Sequence, residues 1–197
     1  MTRSAAKERT TKETQISVRL DLDGPTGEVS ATTGLPFFDH MLDQLGRHGG
    51  FDLMVRATGD LHVDGHHTVE DVGITLGEVF REALGDKAGI RRFASGLYPL
   101  DEALVEVALD LSGRPFTAYE VPFGEVLPLG DPPFNPEMAE HFWQSFATSA
   151  GITLHVRLRE GRNTHHIVEA CFKGVSRCLR DAVRIEGEGI PSTKGSI

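Results

Sequence analysis

The sequence lacks the features that mark secreted, membrane-spanning and nucleic-acid-binding proteins. It has only two cysteines in 197 residues, Cys171 and Cys178. The two cysteines lie seven residues apart on one predicted helix, a separation of about 10 Å, which is too far for a disulfide. No apolar run reaches the roughly 18 to 20 residues of a spanning helix, and the opening MTRSAAKERTTKE has no apolar core for a secretory signal. The formal charge is −9 without any block of Lys or Arg, which disfavours nucleic acid or an anionic membrane as a partner. We therefore expect a cytoplasmic protein with reduced thiols.

The composition is that of a globular protein with room for a substantial core. Apolar residues make up 39% of the chain and charged residues 25%, and the apolar residues recur in periodic runs. Residues 1–10 are polar and aperiodic, which predicts a flexible N-terminal arm followed by a domain over residues 11–197.

The first half of the domain alternates between strand and helix patterns. Ile16, Val18, Leu20 and Leu22 alternate with polar residues and predict a strand, and a short strand is predicted over residues 27–33. A helix is predicted from 36 to 48, then a strand over FDLMVRATGD, then a helix that is capped by Asp64 and closes at Gly85.

The second half shows the same order of elements. ALVEVALDLSG and PFTAYEV predict strands, PEMAEHFWQSFATSAG a helix, ITLHVRLREG a strand, and THHIVEACFKGVSRCLRDAV a helix capped by Thr164. The prediction is an α+β fold built by internal duplication of a strand-strand-helix-strand-helix unit, with the helices packed on one face of each sheet. The two repeats are expected over about 11–98 and 99–197.

The duplication extends to residues that bind metals. HHTVE at 66–70 matches HHIVE at 165–169, and each is preceded by a histidine on the earlier helix of its repeat. The eight candidate ligands are His40, His66, His67, Glu70, His141, His165, His166 and Glu169. A single HHxxE motif is more often surface or core than a metal site, but six of the nine histidines fall into two matching patterns.

Adjacent histidines on a rigid helix point about 100° apart and cannot easily bind one ion, but they can serve two. Eight ligands shared between two ions give four each, such as three imidazoles and one carboxylate. This donor set suits Mn²⁺, Fe²⁺ or Zn²⁺ rather than Mg²⁺ or Ca²⁺. Asp39 and Asp71, next to ligands, could orient imidazoles, although helix-terminal or surface roles explain them equally well.

Several longer stretches resemble a known family. GLPFFDHMLDQLGRHGGFDLMVRATGDLHVDGHHTVEDVGITLGE, DLSGRP, THHIVEACFKG and PSTKG are similar to the imidazoleglycerol-phosphate dehydratases of histidine biosynthesis, over about residues 13–195. The resemblance implies dehydration of D-erythro-imidazole glycerol phosphate to imidazole acetol phosphate, two Mn²⁺ ions per active site, and a large homo-oligomer of octahedral symmetry with active sites between subunits. The family's metal ligands fall on the eight residues above.

The resemblance also assigns residues that contact the substrate. Glu13 matches the family's glutamate in the first strand, and Arg92 and Arg114 match its phosphate-binding arginines. Three further residues match its substrate contacts: Lys173, Ser192 and Lys194. Arginine pairs bidentately with phosphate and lysine adds a point charge, so such a cluster could hold a phosphate in an acidic protein. Glu13 is expected to transfer a proton, and Glu70 and Glu169 are expected to serve the chemistry as well as the metals.

The expected chemistry needs metal ions with open coordination positions. The substrate has no carbonyl beside the carbon that loses its proton, so two metals would stabilise the imidazolate whose electrons expel the hydroxyl. Four protein ligands close a tetrahedral zinc site but leave two positions on octahedral Mn²⁺, which favours Mn²⁺. The alternatives are a dinuclear metallohydrolase and a non-catalytic metal-binding assembly; a ferritin-like assembly would need long helices with Glu-x-x-His pairs.

Overall fold

A computed structural model describes residues 3–24, 26–124 and 127–195 of the chain. The elements of the first repeat are β1 (Ser4–Thr10), β2 (Thr14–Asp21), β3 (Val29–Thr32), α1 (Pro36–Gly49), β4 (Asp52–Gly59) and α2 (His66–Leu84). Those of the second are β5 (Phe93–Leu100), β6 (Ala103–Asp110), β7 (Phe116–Glu120), α3 (Met138–Ala150), β8 (Thr153–Glu160) and α4 (Thr164–Ala182). None of the helices in the described part of the chain is long and apolar enough to cross a membrane.

The two repeats have the same sheet topology. The strand orders are β1-β2-β4-β3 and β5-β6-β8-β7, and in each sheet the last pair is parallel while the other pairs are antiparallel. Alternate residues of the central strands, such as Val18, Val55, Val107 and Val156, are buried beneath the helices. The predicted α+β fold with internal duplication is confirmed.

Each repeat has one strand more than the sequence predicted. The predicted flexible arm was wrong for residues 4–10, which form β1 and pair with β2 along its whole length. Likewise β5 crosses the boundary predicted at residue 98, so the second repeat begins at Phe93. Both are edge strands with exposed residues on one face or both, so they carry few of the buried apolar residues on which a periodicity argument depends.

Two predicted helix caps are also displaced. Gly65, not Asp64, is the N-cap of α2, and the Asp64 carboxylate instead accepts the His66 backbone N–H at 2.8 Å. At α4 the cap is Asn163 rather than Thr164, because the Asn163 side chain accepts the backbone N–H groups of His165 and His166. Both histidine pairs therefore lie in the first turn of their helices.

The helices pack in pairs that cross between the repeats. Helix α2 packs against α3, and α1 packs against α4. Gly73 and Gly77 permit the close approach of α2 and α3, since a Cβ at these positions would lie 2.8 Å from the Phe142 carbonyl oxygen and 2.5 Å from that of Phe146. This exchange of helices brings ligands from the two repeats together.

We expect Gly77→Ala to destabilise the protein even though alanine favours helices. The new methyl group meets backbone, which cannot rotate away, so the free energy of unfolding should fall by about 1–2 kcal/mol and Tm by about 4 °C. Thermal unfolding of the purified protein measures this. Gly187→Ala is the control, because no atom lies within 4 Å of its added Cβ. Equal Tm values for the two variants would contradict close packing of α2 on α3.

Candidate active site

The first cluster of candidate ligands lies between α1 and α4. His40 Nε2 lies 3.5 Å and His165 Nε2 lies 3.0 Å from the same Glu169 carboxylate oxygen. The three donor atoms lie within 4.8 Å of one another, which is the spacing of a site that could hold a metal ion. One donor comes from the first repeat and two come from the second.

Glu169 is the most buried member of this cluster. Burial alone would raise its pKa, but Lys173 and His165 outweigh burial and hold the pKa of Glu169 below its usual value. Lys173 Nζ lies 2.6 Å from the second carboxylate oxygen, one helical turn further along α4. The Glu169 carboxylate is therefore kept ionised, as a metal ligand must be.

A second cluster lies between α2 and α3. The His66 and His141 rings have centroids 4.5 Å apart, and His66 Nε2 lies 4.0 Å from a Glu70 carboxylate oxygen. Here two donors come from the first repeat and one comes from the second. The two clusters are counterparts in their positions within the repeats, each with two imidazoles and one carboxylate. Among the described residues, the donor atoms of His40, His165 and Glu169 and those of Glu13, Asp60 and His67 lie within 4.8 Å of one another, whereas those of this second cluster do not.

The remaining two histidines, here called the outward histidines, contact carboxylates outside both clusters. His67 Nδ1 lies 3.0 Å from Asp60 and 3.8 Å from Glu13, and His166 Nδ1 lies 2.7 Å from Glu102. An ionised carboxylate only accepts hydrogen bonds, so Nδ1 carries the proton in both rings and the Nε2 lone pair is left for another partner. The nearest carboxylate to the His166 Nε2 atom is that of the exposed Asp101, 3.7 Å away.

Asp60 and Glu102 are site residues that the sequence argument missed. Glu102 immediately precedes β6 as Glu13 immediately precedes β2, and β6 and β2 are equivalent central strands, so the duplication itself pointed to Glu102. Asp39 and Asp71 do not orient imidazoles among the described residues. Asp39 accepts hydrogen bonds from Thr33, and Asp71 accepts them from Arg9 and Thr14.

The carboxylates change the proton affinity of these two outward rings. The hydrogen bond to Asp60 raises the pKa of His67, and that to Glu102 raises the pKa of His166, while the pKa of Glu102 falls to about 2. A raised histidine pKa means that protons compete with a metal ion up to a higher pH. As the pH rises through the raised pKa, the proton leaves and the ring can bind metal.

We expect Glu102→Gln to change metal uptake in two ways. Loss of the negative charge lowers the pKa of His166, so half-loading of the metal-free protein with Mn²⁺ should occur at a lower pH. Loss of the ring's orienting partner should weaken Mn²⁺ binding at pH 8 by about tenfold. Mn²⁺ titrations across pH test both effects, with Glu120→Gln as control. An unchanged profile for Glu102→Gln would show that the carboxylate does not act on His166.

Two predicted phosphate-binding arginines and two further predicted substrate contacts line one open pocket of about 780 Å³. Its lining contains Arg92, Arg114, Ser192 and Lys194, together with Ser112, Gly113, Pro191 and Thr193. The Ser112 hydroxyl accepts the Arg114 backbone N–H at 3.1 Å and so shapes the SGRP turn. Lys173 is not in this pocket, because it lies beside Glu169 on α4.

The pocket and the first ligand cluster lie at opposite ends of α4. The Arg92 backbone N–H donates to the Ala182 carbonyl at the end of α4, whereas His165 and Glu169 lie in its first two turns. Thirteen residues from Glu169 to Ala182 span about 20 Å of helix. One small ligand cannot reach both regions within one chain.

Comparisons with known proteins agree with the resemblance seen in the sequence. The sequence model of the imidazoleglycerol-phosphate dehydratase family matches residues 33–179. The chain is 56% identical over 197 residues to the imidazoleglycerol-phosphate dehydratase of Parafrankia sp., with 99% of each chain covered. It is 55% identical over 195 residues to that of Carboxydothermus hydrogenoformans, covering 99% of this chain and all of the relative.

Two solved structures have the same fold. The crystal structure of the Staphylococcus aureus enzyme matches with a TM-score of 0.82 at 33% identity, covering 92% of this chain and 99% of the other. The Pyrococcus furiosus enzyme, solved in complex with (S)-C348, matches with a TM-score of 0.81 at 35% identity, covering 97% of this chain and 100% of the other. The chain belongs to the imidazoleglycerol-phosphate dehydratase family, and it is a hydro-lyase of histidine biosynthesis that acts on a small-molecule substrate.

Proposed function

We propose that the chain dehydrates imidazole glycerol phosphate at a site with two Mn²⁺ ions, each held by three imidazoles and one carboxylate. The observation that carries this proposal is the division of the eight ligands into two three-donor clusters and two outward histidines. Each cluster has two imidazoles and a carboxylate, so one outward imidazole completes each set. Because the outward rings contact carboxylates outside the clusters of their own chain, the completing ring belongs to another copy.

The donor sets fit Mn²⁺ better than its competitors. Imidazole nitrogen is a poor ligand for Mg²⁺ and Ca²⁺, and four protein donors would fill a tetrahedral zinc site. Mn²⁺, with its higher coordination number, would leave positions for substrate beside four protein donors. An anomalous-scattering map of crystals grown with Mn²⁺ tests the proposal: it should contain two peaks per chain, one at each cluster. A single peak, or peaks away from both clusters, would contradict it.

The phosphate of the substrate fits the pocket lined by Arg92, Arg114, Ser192 and Lys194. These residues concentrate positive charge in a chain whose formal charge is −9. We expect Lys194→Ala to raise KM by about tenfold, the loss of one charge-assisted hydrogen bond, with metal content unchanged. Steady-state kinetics and metal analysis measure both quantities. An unchanged KM would argue against phosphate binding in this pocket.

Glu13 is the proposed proton-transfer residue. It lies in the turn between β1 and β2, more than half exposed, with its carboxylate 3.8 Å from His67 Nδ1. Bound Mn²⁺ ions would supply positive charge against which the substrate's imidazole ring can hold a negative charge. The hydroxide expelled from the ring-bearing carbon leaves as water with the proton that the imidazole ring gives up. The Glu13 carboxylate takes the proton from the adjacent carbon and delivers it to the ring-bearing carbon as the enol becomes the ketone, while the enol hydroxyl proton returns to the ring. Glu70 and Glu169 hold their ions and balance part of the ionic charge.

A substrate site shared between chains follows from the separation of pocket and clusters. The substrate carries its phosphate a few ångströms from its ring, whereas the pocket lies about 20 Å along α4 from Glu169. The pocket of one chain must therefore face the clusters of another. A closed homo-oligomer in which every pocket meets a cluster, such as an octahedral one, satisfies this requirement for all subunits. The proposed location of this assembly is the cytoplasm.

The competing metallohydrolase differs in its products. A dinuclear hydrolase acting on a phosphate ester would release inorganic phosphate, whereas dehydration leaves the phosphate on the product. We expect the purified Mn²⁺-loaded enzyme to form imidazole acetol phosphate without releasing phosphate. Phosphate release in step with substrate loss would favour the hydrolase, and metal binding without turnover would favour a non-catalytic assembly.

A further inference from the structure

Asp110, at the end of β6, forms a side-on pair with Arg92 behind the phosphate pocket. Arg92 Nε donates to Asp110 Oδ1 at 2.7 Å, and Nη2 donates to Oδ2 at 3.0 Å. The two side chains are only 13% and 18% exposed, so water screens this pair less than the surface pairs of the protein. The pair raises the pKa of Arg92 above its usual value.

Arg92 still has free N–H donors for one more partner. A third donor, on Nη1, bonds to the Pro191 carbonyl at 2.7 Å. Guanidinium has five N–H groups, so one remains on each terminal nitrogen, which is enough for a bidentate contact with phosphate. The direction in which these two donors point is fixed by Asp110 on one side and Pro191 on the other.

We propose that Asp110 is a positioning residue that aims Arg92 at the substrate phosphate and, through Arg92, holds the Pro191–Lys194 segment that also lines the pocket. This inference rests on the proposed phosphate-binding role of Arg92. The Pro191 carbonyl immediately precedes Ser192, and Lys194 follows two residues later. Loss of the Asp110 contact therefore disturbs more than one phosphate contact.

A carboxylate so near an anion site would repel phosphate if it were not neutralised. Lys87 provides a second cation on this side of the pocket: it is 6% exposed and its Nζ donates to the carbonyl of Leu111, the residue after Asp110. Asp110 thus lies close to two cations, Arg92 and Lys87. The group as a whole keeps a positive charge toward the pocket.

The backbone of Arg92 adds a reason for an external restraint. Its φ of 74° lies in the left-handed region, which is strained for a residue with a side chain. Hydrogen bonds from Arg92 N to the Ala182 carbonyl and from Leu111 N to the Arg92 carbonyl hold this conformation. The main chain and the side chain are therefore both fixed from outside, as expected for a preorganised ligand-binding residue.

A double-mutant cycle tests the inference. Asp110→Asn should raise KM by about tenfold, with kcat within about twofold and metal content unchanged. Arg92→Gln should raise KM further, by about a hundredfold, because it removes the phosphate contact itself. In the Arg92→Gln background, Asp110→Asn should raise KM no further, because Asp110 acts through Arg92. Glu106→Gln is the control, since Glu106 lies on the same strand but pairs with Arg159.

Each outcome separates the inference from the function on which it rests. An unchanged KM for Arg92→Gln would remove the phosphate assignment itself. A raised KM for Arg92→Gln with an unchanged KM for Asp110→Asn would overturn the role of Asp110 alone, as would an equal effect of Asp110→Asn in both backgrounds. If Asp110→Asn does not fold, Arg92→Lys decides: lysine keeps the charge but cannot form the side-on pair, so KM should approach that of Arg92→Gln. Wild-type KM for Arg92→Lys would overturn the inference.

Discussion

Replacement of His67 or His166 by alanine is expected to reduce the dehydration rate by about a thousandfold, equivalent to several kcal/mol of lost charge stabilisation. In each of the two rings Nδ1 is hydrogen-bonded to a carboxylate, which leaves Nε2 for another partner. Each ring is proposed to complete a different one of the two three-donor clusters. Loss of either ring should leave one ion with only three protein ligands, so that this ion binds weakly. The Mn²⁺ content should then fall to about one ion per chain in both variants.

The comparison between the two variants is the informative part of this experiment. If the repeats contribute equally, the two replacements should be damaging to a similar extent. His62→Ala is the control, because His62 lies outside the duplicated pattern. Full metal content with near-normal turnover in either variant would mean that its repeat keeps the HHxxE motif for packing, and the two-metal proposal would have to be abandoned.

Removal of metal is expected to break the assembly into smaller species. In the proposed arrangement every ion takes three ligands from one chain and one from another, so the ions join subunits. A chelator should lower the sedimentation coefficient, and added Mn²⁺ should restore it together with activity. Acidification should act in the same direction, because the raised pKa values of His67 and His166 let protons displace metal at a higher pH than ordinary histidines would allow.

The competing result is equally clear. A metal-free protein that sediments as the intact assembly would show that the subunit contacts are made by other surfaces. The apolar residues exposed on the second sheet, Phe93, Leu97 and Phe116, would be the first to examine. Metal would then serve the chemistry alone.

The duplication supplied an internal check on the predicted metal ligands. Residues 66–70 and 165–169 repeat one motif at one position in two equivalent helices, so each copy supports the other. The division into clusters was not predictable, since it depends on α1 packing against α4 and α2 against α3 across the repeats. The contact of His166 with Glu102 joins residues 64 positions apart and was also missed.

Edge strands and the phosphate pocket show two further limits of the sequence argument. β1 and β5 each have one neighbouring strand and exposed faces. The alternation of apolar and polar residues that predicted β2 and β6 is therefore weak or absent in them. The pocket gathers Arg92, Arg114 and the segment around Ser192 from distant parts of the chain, and it was predicted only by resemblance. The same resemblance grouped Lys173 with them, whereas in the chain it lies beside Glu169.

The measurement that tests the shared site most directly is the activity of hybrid assemblies. Arg92→Ala removes a phosphate contact and His40→Ala removes a metal ligand, so each variant alone should be nearly inactive at a substrate concentration near the wild-type KM. Co-expressed with two different tags and purified as mixed assemblies, they should recover about a quarter of wild-type activity, because random assembly joins an intact pocket to an intact cluster in that fraction of sites. A site built between chains would be contradicted if the mixed assemblies are no more active than either parent variant. This result counts only if the assemblies contain both chains and the chains with intact clusters bind two ions each.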